Sequence, residues 1–297
     1  MTSSSRPRHA NPWLSRRVLN YAHQGGAREG PSSTLWAMSR ALTAGADALE
    51  LDVHATADRQ LVVCHDASVD RTTDGRGTIA SMTLSELRRL DNAYWWVPGE
   101  VVAPERPPQD YPLRGRAPTD RSLGIATLDD VLDLYPGAFL NLDIKQTAPV
   151  VAPYEEALAR KLRERGRVDD VIVASFNDTA TDTFRTFAPE IGTSAGTVAV
   201  AELWRAAHGD GTLPELPHVA VQIPAAVAGM AVCDEAMVAF AHELGLAVHV
   251  WTIDDADEMA RLVELGVDGI MTDHPGVLDT VLTAAGAGWP GDATTRA

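Results

Sequence analysis

Apolar runs of strand length alternate along the chain with stretches whose apolar positions recur at helical spacing. The runs fall at 18–22, 48–53, 61–64, 139–144, 171–175, 191–195, 219–223, 247–252 and 269–272. Helical spacing predicts helices over 34–44, 83–90, 128–134, 153–165, 178–187, 200–207, 234–244, 256–265 and 274–283. Several boundaries carry their own signals. Thr83 stands three residues before Glu86, the spelling of a capping box, and Gly245 and Gly266 follow predicted helices as C-caps. About eight strands separated by helices fit a closed (β/α)8 barrel better than an open doubly wound sheet. Periodicity alone leaves both open.

The rhythm breaks once. Residues 91–124 hold six prolines and the cluster Tyr94-Trp95-Trp96, with no regular period. A stretch of this length reads as a small insertion after the third strand region, folded over one end of the barrel. Its aromatics either cover substrate or pack on the barrel wall. The expected layout is a flexible N-terminal arm (1–16), a barrel domain (17–285) and a flexible C-terminal tail (286–297).

Polar groups at the strand ends suggest an enzyme. The run at 18–22 ends in His23, and the run at 61–64 ends in His65-Asp66. Two imidazoles at strand ends can serve as base and acid near neutral pH. Glu50 and Asp52 are two residues apart on one strand, so they share a face; Asp143 and Lys145 repeat that spacing on another. Carboxylates so grouped suit an oxygen-ligated divalent cation, whereas each pair alone is equally an ordinary cap or ion pair. Asp66 either orients an imidazole or caps a turn. Cys64, beside His65, reads as a small buried strand residue rather than a nucleophile.

With 41 acidic against 25 basic residues, the formal net charge of −16 argues against nucleic acid or an anionic membrane as partner. An anionic substrate would then need a local reversal of field, which a bound divalent cation supplies most simply. Two cysteines make no disulfide framework, and no segment has the composition of a secretory signal or the length of a membrane span. A cytoplasmic protein without stable membrane insertion is the default expectation. Oligomeric state is not specified.

The block from His23 to Gly77, HQGGAREGPSSTLWAMSRALTAGADALELDVHATADRQLVVCHDASVDRTTDGRG, resembles the glycerophosphodiester phosphodiesterase family. That family's signature runs approximately HRG, PENT, GAD, E-x-D-V, T-x-D, HD and R-T-T-x-G. The likeness continues through ATLDDVL (126–132), LNLDIK (140–145), ASFN (174–177), VHVWTID (248–254) and GVDGIMTDHP (266–275). It thus covers nearly the whole chain in order. The resemblance implies a TIM barrel and one divalent metal ion, Mg²⁺, Ca²⁺ or Mn²⁺, on Glu50, Asp52 and Asp143. Many members have glutamate at the last of these positions. It further implies catalytic roles for His23 and His65, an active-site role for Lys145 and a substrate-lining role for Trp251, whose alternative is barrel packing.

Two departures stand out. Gln24 replaces the arginine of HRG, a phosphate contact in the family; it is expected still to bind substrate through its amide donor, but loses the charge and the bidentate fork. PENT has become Pro31-Ser32-Ser33-Thr34, which keeps the helix-starting threonine only. Arg28, in the same loop, is the candidate to restore the missing charge, its alternative being a solvated loop residue. Arg71 is expected to brace the loop after His65. The activity implied is metal-dependent hydrolysis of glycerophosphodiesters to glycerol 3-phosphate and an alcohol. A lysophospholipase D-like action on lipid diesters, suggested by the lost arginine and the Tyr94–Trp96 cluster, is the alternative. A barrel that binds phosphoryl ligands without cleaving them is the third reading.

Overall fold

The computed structural model describes residues 11–14, 17–211 and 216–289, and in it the apolar runs become strands buried on both faces. Burial on both faces removes any need to alternate, which is why these strands read as runs. The elements in chain order are β1 (Leu19–His23), α1 (Leu35–Thr43), β2 (Ala48–Ala55), β3 (Leu61–Val63), α2 (Leu84–Leu87), β4 (Ala126–Thr127) and α3 (Leu128–Leu134). There follow β5 (Phe139–Ile144), α4 (Glu155–Glu164), β6 (Val171–Ala174), α5 (Asp178–Phe187), β7 (Gly192–Ala195) and α6 (Thr197–Ala207). The chain continues through β8 (Ala220–Pro224), β9 (Ala226–Val227), β10 (Met230–Ala231), α7 (Glu235–Glu243), β11 (Ala247–Trp251), α8 (Ala256–Leu265), β12 (Gly269–Thr272) and α9 (Pro275–Ala285). Strands β1, β2, β5, β6, β7, β8, β11 and β12 pair in parallel in that order, and β12 pairs back onto β1. The sheet is closed. This is the (β/α)8 TIM barrel expected from the alternation.

Local chemistry accounts for the helix ends. Thr34 accepts from the Ala37 backbone N–H to start α1, and Thr83 with Glu86 forms the expected capping box on α2. A second capping box, Thr127 with Asp130, starts α3. Gly266 ends α8 in the left-handed region, at φ 89°, where glycine bears no steric penalty.

One strand departs from expectation. The run at 61–64 forms β3, which lies antiparallel to β2 and outside the parallel ring. Strand β2 is eight residues long, and its last three residues pair with the returning chain. The Cys64 N–H then donates to the Asp52 carbonyl at 3.0 Å, which brings His65 back over the barrel mouth. His65 therefore does not close a parallel strand, as His23 does.

The insertion at 91–124 packs against the loop after β1, with the Gly99 N–H donating to the Arg28 carbonyl. Its aromatics are occupied locally. Trp96 packs at a tilt against Trp36 and donates to the Ala27 carbonyl, while the Arg114 guanidinium lies over the Tyr94, Trp95 and Tyr111 rings. None of the three clustered aromatics is among the residues that line the 620 Å³ cavity, which favours the packing alternative for them.

Of the expected N-terminal arm, residues 11–14 are described, and they are packed. Asn11 donates to the Val219 and Gly245 carbonyls, and Trp13, 3% exposed, lies against Phe139 and His249 under the barrel. Of the expected tail, residues 286–289 are described. Gly288 bridges to Val18, and Trp289 packs on Phe139. The rest of both segments lies outside the described residues. Apolar residues that can cover the open lower end of the barrel are drawn onto it.

His249 sits wholly inside this lower layer, beside Tyr21 and Trp13, and neither ring nitrogen has a partner. Burial alone pushes its pKa from 6.5 down to about 3. The unfolded chain therefore binds a proton that the folded chain refuses between those values, and stability rises with pH across that window. Lowering the pH from 7 toward 4 is expected to cost up to about 1.4 kcal/mol per unit from this group. Urea unfolding against pH should show a shallower slope in His249→Leu than in the natural chain.

Candidate active site

Each parallel strand delivers its chemistry at its C-terminal end, where the loops meet. Barrel register stacks the candidates in two levels. His23 stands opposite Glu50, which stands opposite Asn141; one step higher Asp52 stands opposite Asp143. His23, Glu50, Asp52, His65, Asp143, Lys145 and Trp251 all line one cavity of about 620 Å³. The i, i+2 reading of both strands is thus realised, with the two strands adjacent.

The acidic groups are deeply placed: Glu50, Asp52 and Asp143 are 5%, 2% and 7% exposed. Burial, compounded by the neighbouring Asp52 charge, raises the pKa of Glu50 well above the carboxylate range. Burial likewise raises Asp143, although the Lys145 ammonium pulls the other way. Lys145 Nζ lies 3.1 Å from Asp52 Oδ1 and 3.4 Å from Asp143 Oδ2, and these two charges keep it protonated against the cost of burial. Asp52 Oδ2 and Asp143 Oδ1 are left buried without a partner. Unsatisfied carboxylate oxygens at such depth suit a cation. Among the described residues no three His, Cys, Asp or Glu side chains form a ready-made metal cage, and Lys145 bridges two of the three carboxylates.

Each imidazole has its own carboxylate. His23 Nδ1 is 2.7 Å from Asp273 Oδ1, and His65 Nδ1 is 2.7 Å from Asp66 Oδ1. That leaves Nε2 of each ring facing away from its carboxylate, and His23 Nε2 lies near the Gln24 amide. The rings stand 6.3 Å apart, nearly perpendicular. Burial disfavours the His23 imidazolium, yet the Asp273 hydrogen bond and the Glu50, Asp273 and Asp52 charges outweigh it and lift the pKa to about 9. Asp66 also accepts from Arg71, so the two alternatives for it resolve toward orienting His65, with Arg71 as the brace. The hydrogen bond from His65 and the Arg71 charge hold Asp66 well below the usual carboxylate range. Cys64 is 2% exposed, and burial pushes its thiol up to about 12, which rules out a resting thiolate.

The two departures from the family pattern meet each other. Ser32 Oγ donates to Gln24 Oε1 at 2.6 Å, and the Gln24 amide lies 3.3 Å from His23 Nε2, with its backbone N–H on Glu50. Gln24 is buried and is not among the residues that line the cavity; its amide can donate to His23 Nε2 only while that nitrogen carries no proton. Arg28 is not among the residues that line the cavity. Its guanidinium is turned to Asp254 and to the Gly99 carbonyl, outside the cavity. Trp251 lies on the cavity wall, edge-on to Phe176, whose ring is 5.9 Å from Lys145 Nζ.

Asp273 and Asp254 escaped the sequence reading. Asp254 accepts from the Asp273 N–H and from Thr272, and so steadies the group that holds His23. A signal for Asp273 existed: it directly follows the apolar run 269–272, in the position that barrel enzymes give to site residues.

Fold and cluster together describe a TIM-barrel hydrolase site, with paired histidines and grouped carboxylates at the C-terminal mouth. Residues 23–277 match the glycerophosphoryl diester phosphodiesterase family, and the chain belongs to it. It is an enzyme of that class, a phosphoric diester hydrolase. A glycerophosphodiester phosphodiesterase of Caldanaerobacter subterraneus subsp. tengcongensis is 30% identical over 91% of this chain and 100% of its own length. One from Bacillus subtilis is 28% identical over 89% of this chain and 86% of its own. Among solved structures, a glycerophosphodiester phosphodiesterase from Agrobacterium tumefaciens superposes with a TM-score of 0.65 at 24% identity, over 89% of this chain and 99% of that one. A phosphodiesterase from Oleispira antarctica, solved with its product sn-glycerol-3-phosphate, gives 0.69 at 23% identity, over 91% and 99%. No helix among the described residues is long and apolar enough to cross a membrane.

The cluster makes a structural prediction. Lys145→Met leaves Asp52 and Asp143 facing each other without their shared ammonium, and should destabilise the metal-free protein by roughly 3 kcal/mol. The double variant Asp52→Asn/Lys145→Met should lose less, because one buried charge leaves with its partner. Urea unfolding of the three proteins measures both.

Proposed function

We propose that the protein hydrolyses glycerophosphodiesters to glycerol 3-phosphate and an alcohol. In this reading a divalent cation is held by Glu50, Asp52 and Asp143, and proton transfer is shared between His23 and His65. The observation that carries it is the pairing, within one cavity, of orphaned carboxylate oxygens with two imidazoles that each have their own orienting carboxylate. Mere binding of a phosphoryl ligand requires no such pair of oriented imidazoles, and for that reason the non-catalytic reading is set aside. The product found with the Oleispira antarctica relative is the product expected here.

When bound, the cation would polarise the phosphoryl group and neutralise charge that develops on its oxygens. Mg²⁺, Ca²⁺ and Mn²⁺ all accept an oxygen donor set. Lys145 adds a second positive group beside the same oxygens and takes over part of the task of the absent arginine. One imidazole takes a proton from the attacking water, or from the substrate's own glycerol hydroxyl, in which case a cyclic phosphate forms first and water opens it in a second step to glycerol 3-phosphate. The other gives a proton to the departing alkoxide as the phosphorus–oxygen bond breaks. Asp273 and Asp66 stabilise whichever ring carries the extra proton, and Gln24 with Ser32 keeps His23 in place. Phe176 and Trp251 wall the cavity beside Lys145.

Two measurements test this reading. Turnover of glycerophosphocholine by chelator-dialysed protein should fall to background and return on adding Mg²⁺, Ca²⁺ or Mn²⁺; full turnover after chelation would refute the metal. His23→Ala and His65→Ala should each lower kcat by about 10²–10⁴-fold with the fold intact by circular dichroism. Near-natural turnover in both would end the acid/base assignment.

A further inference from the structure

The loops that carry the two histidine systems leave the barrel from different strands, and the segment that opens the insertion touches both. The first, residues 24–34, follows His23 and holds the Gln24–Ser32 pair. The second, residues 64–78, carries His65, Asp66 and Arg71. Between them lies Asn92, 2% exposed. Its Nδ2 donates to the Ser32 carbonyl at 3.0 Å, and its Oδ1 accepts from the Thr72 hydroxyl at 2.6 Å. The amide can point only this way, because a carbonyl accepts and never donates. One end of a short side chain thus holds the residue that reaches Gln24, and the other holds the neighbour of Arg71.

The residues around Asn92 repeat this division. Trp95 donates from its indole nitrogen to the Thr73 carbonyl at 2.9 Å, in the His65 loop. Trp96 donates to the Ala27 carbonyl at 3.2 Å, in the His23 loop. On the first side the Asp91 N–H also donates to Asp74 Oδ1, and on the second the Gly99 N–H donates to the Arg28 carbonyl. The holding groups are themselves fixed. The Asn92 N–H donates to the Leu123 carbonyl, which closes the insertion on itself, and Arg114 and Trp36 pack on Trp95 and Trp96. Slipping either loop would strand a buried donor or acceptor, so the network holds one geometry. Thr72, Asn92, Trp95 and Trp96 are not among the residues that line the 620 Å³ cavity.

We propose that Asn92 is a positioning residue, which sets His23 and His65 at the separation that proton transfer on both sides of one phosphorus requires. Residues 91–99 are the clamp that carries it, and the rings it spaces stand 6.3 Å apart. The inference rests on the hydrolase reading above, in which both histidines exchange protons, and gives the insertion a part in that reaction. Displacing reacting groups by about 1 Å costs on the order of 10²-fold in rate.

The test compares steady-state turnover of glycerophosphocholine among variants, with the divalent cation that supports it. Thr72→Val keeps the side-chain shape and loses the hydroxyl; it should lower kcat at least tenfold and leave KM within threefold. Thr72→Ser restores the hydroxyl and should bring kcat back to within threefold of the natural chain. Asn92→Ala releases both loops and should lower kcat at least as far as Thr72→Val, with the double variant no worse than Asn92→Ala. If Asn92→Ala does not fold, the threonine series decides alone. The His65→Ala background separates positioning from stability. With one imidazole left there is no separation to set, and adding Thr72→Val should change the residual kcat less than twofold. An unchanged kcat in Thr72→Val, a loss that Thr72→Ser does not recover, or a loss that persists in full beside His65→Ala would each overturn the positioning role while the hydrolase reading stands. No turnover by the natural chain, or near-natural turnover in His65→Ala, would overturn the proposed function and this inference with it.

Discussion

Three buried carboxyl groups facing a single ammonium are the constraint on which the upper half of this barrel turns. Negative charge at that depth is unfavourable unless something positive shares it, and the protein supplies Lys145, the His23 proton and little else. Two oxygens remain unsatisfied even so. The surrounding elements follow from that need. Strands β2 and β5 must be neighbours in one register, and Lys145 must reach back across both. A cluster under this electrostatic pressure is poised to take up positive charge, and that readiness is what a site for an anionic diester requires in a chain that is strongly acidic overall.

The histidines reach the cluster by different routes, and the difference is physical. His23 ends a parallel strand and is turned by Asp273 from the far end of the chain. His65 arrives on the antiparallel return after β2 overshoots the ring, and its orienting Asp66 is its own neighbour. One imidazole thus depends on barrel closure and the other on a local turn braced by Arg71. The unusual loop after β1 belongs to the first of these systems. Gln24 and Ser32, which read separately as two losses, are one hydrogen-bonded pair behind His23. Glutamine there is uncharged and its amide lies beside the His23 ring, leaving Lys145 as the nearby fixed cation.

The strand and helix pattern was legible because burial on both faces and helical amphipathicity are written in neighbouring residues. Glu50 with Asp52, and Asp143 with Lys145, were legible for the same reason: two residues along a strand return to the same face. The partners of Arg28 and of the Tyr94–Trp96 cluster could not be read locally, because they lie elsewhere in the chain. Asp254 claims Arg28, and Arg114 and Trp36 claim the aromatics. The hairpin at 226–231 went unread, since its strands are two residues each, too short for any periodicity in Ala-Val-Ala-Gly-Met-Ala to show.

Short-range periodicity in the chain sufficed to establish the repeating strand–helix order, the paired acids and the two histidines. It could not say which carboxylate would hold which imidazole, that Lys145 would bridge two acids, or that α6 and a hairpin would build one wall of the cavity. Those outcomes depend on closing the ring, which joins β1 to β12 and sets His23 against Asp273 across 250 residues. Contacts at that separation arise from register and packing, and no local preference along the sequence encodes them.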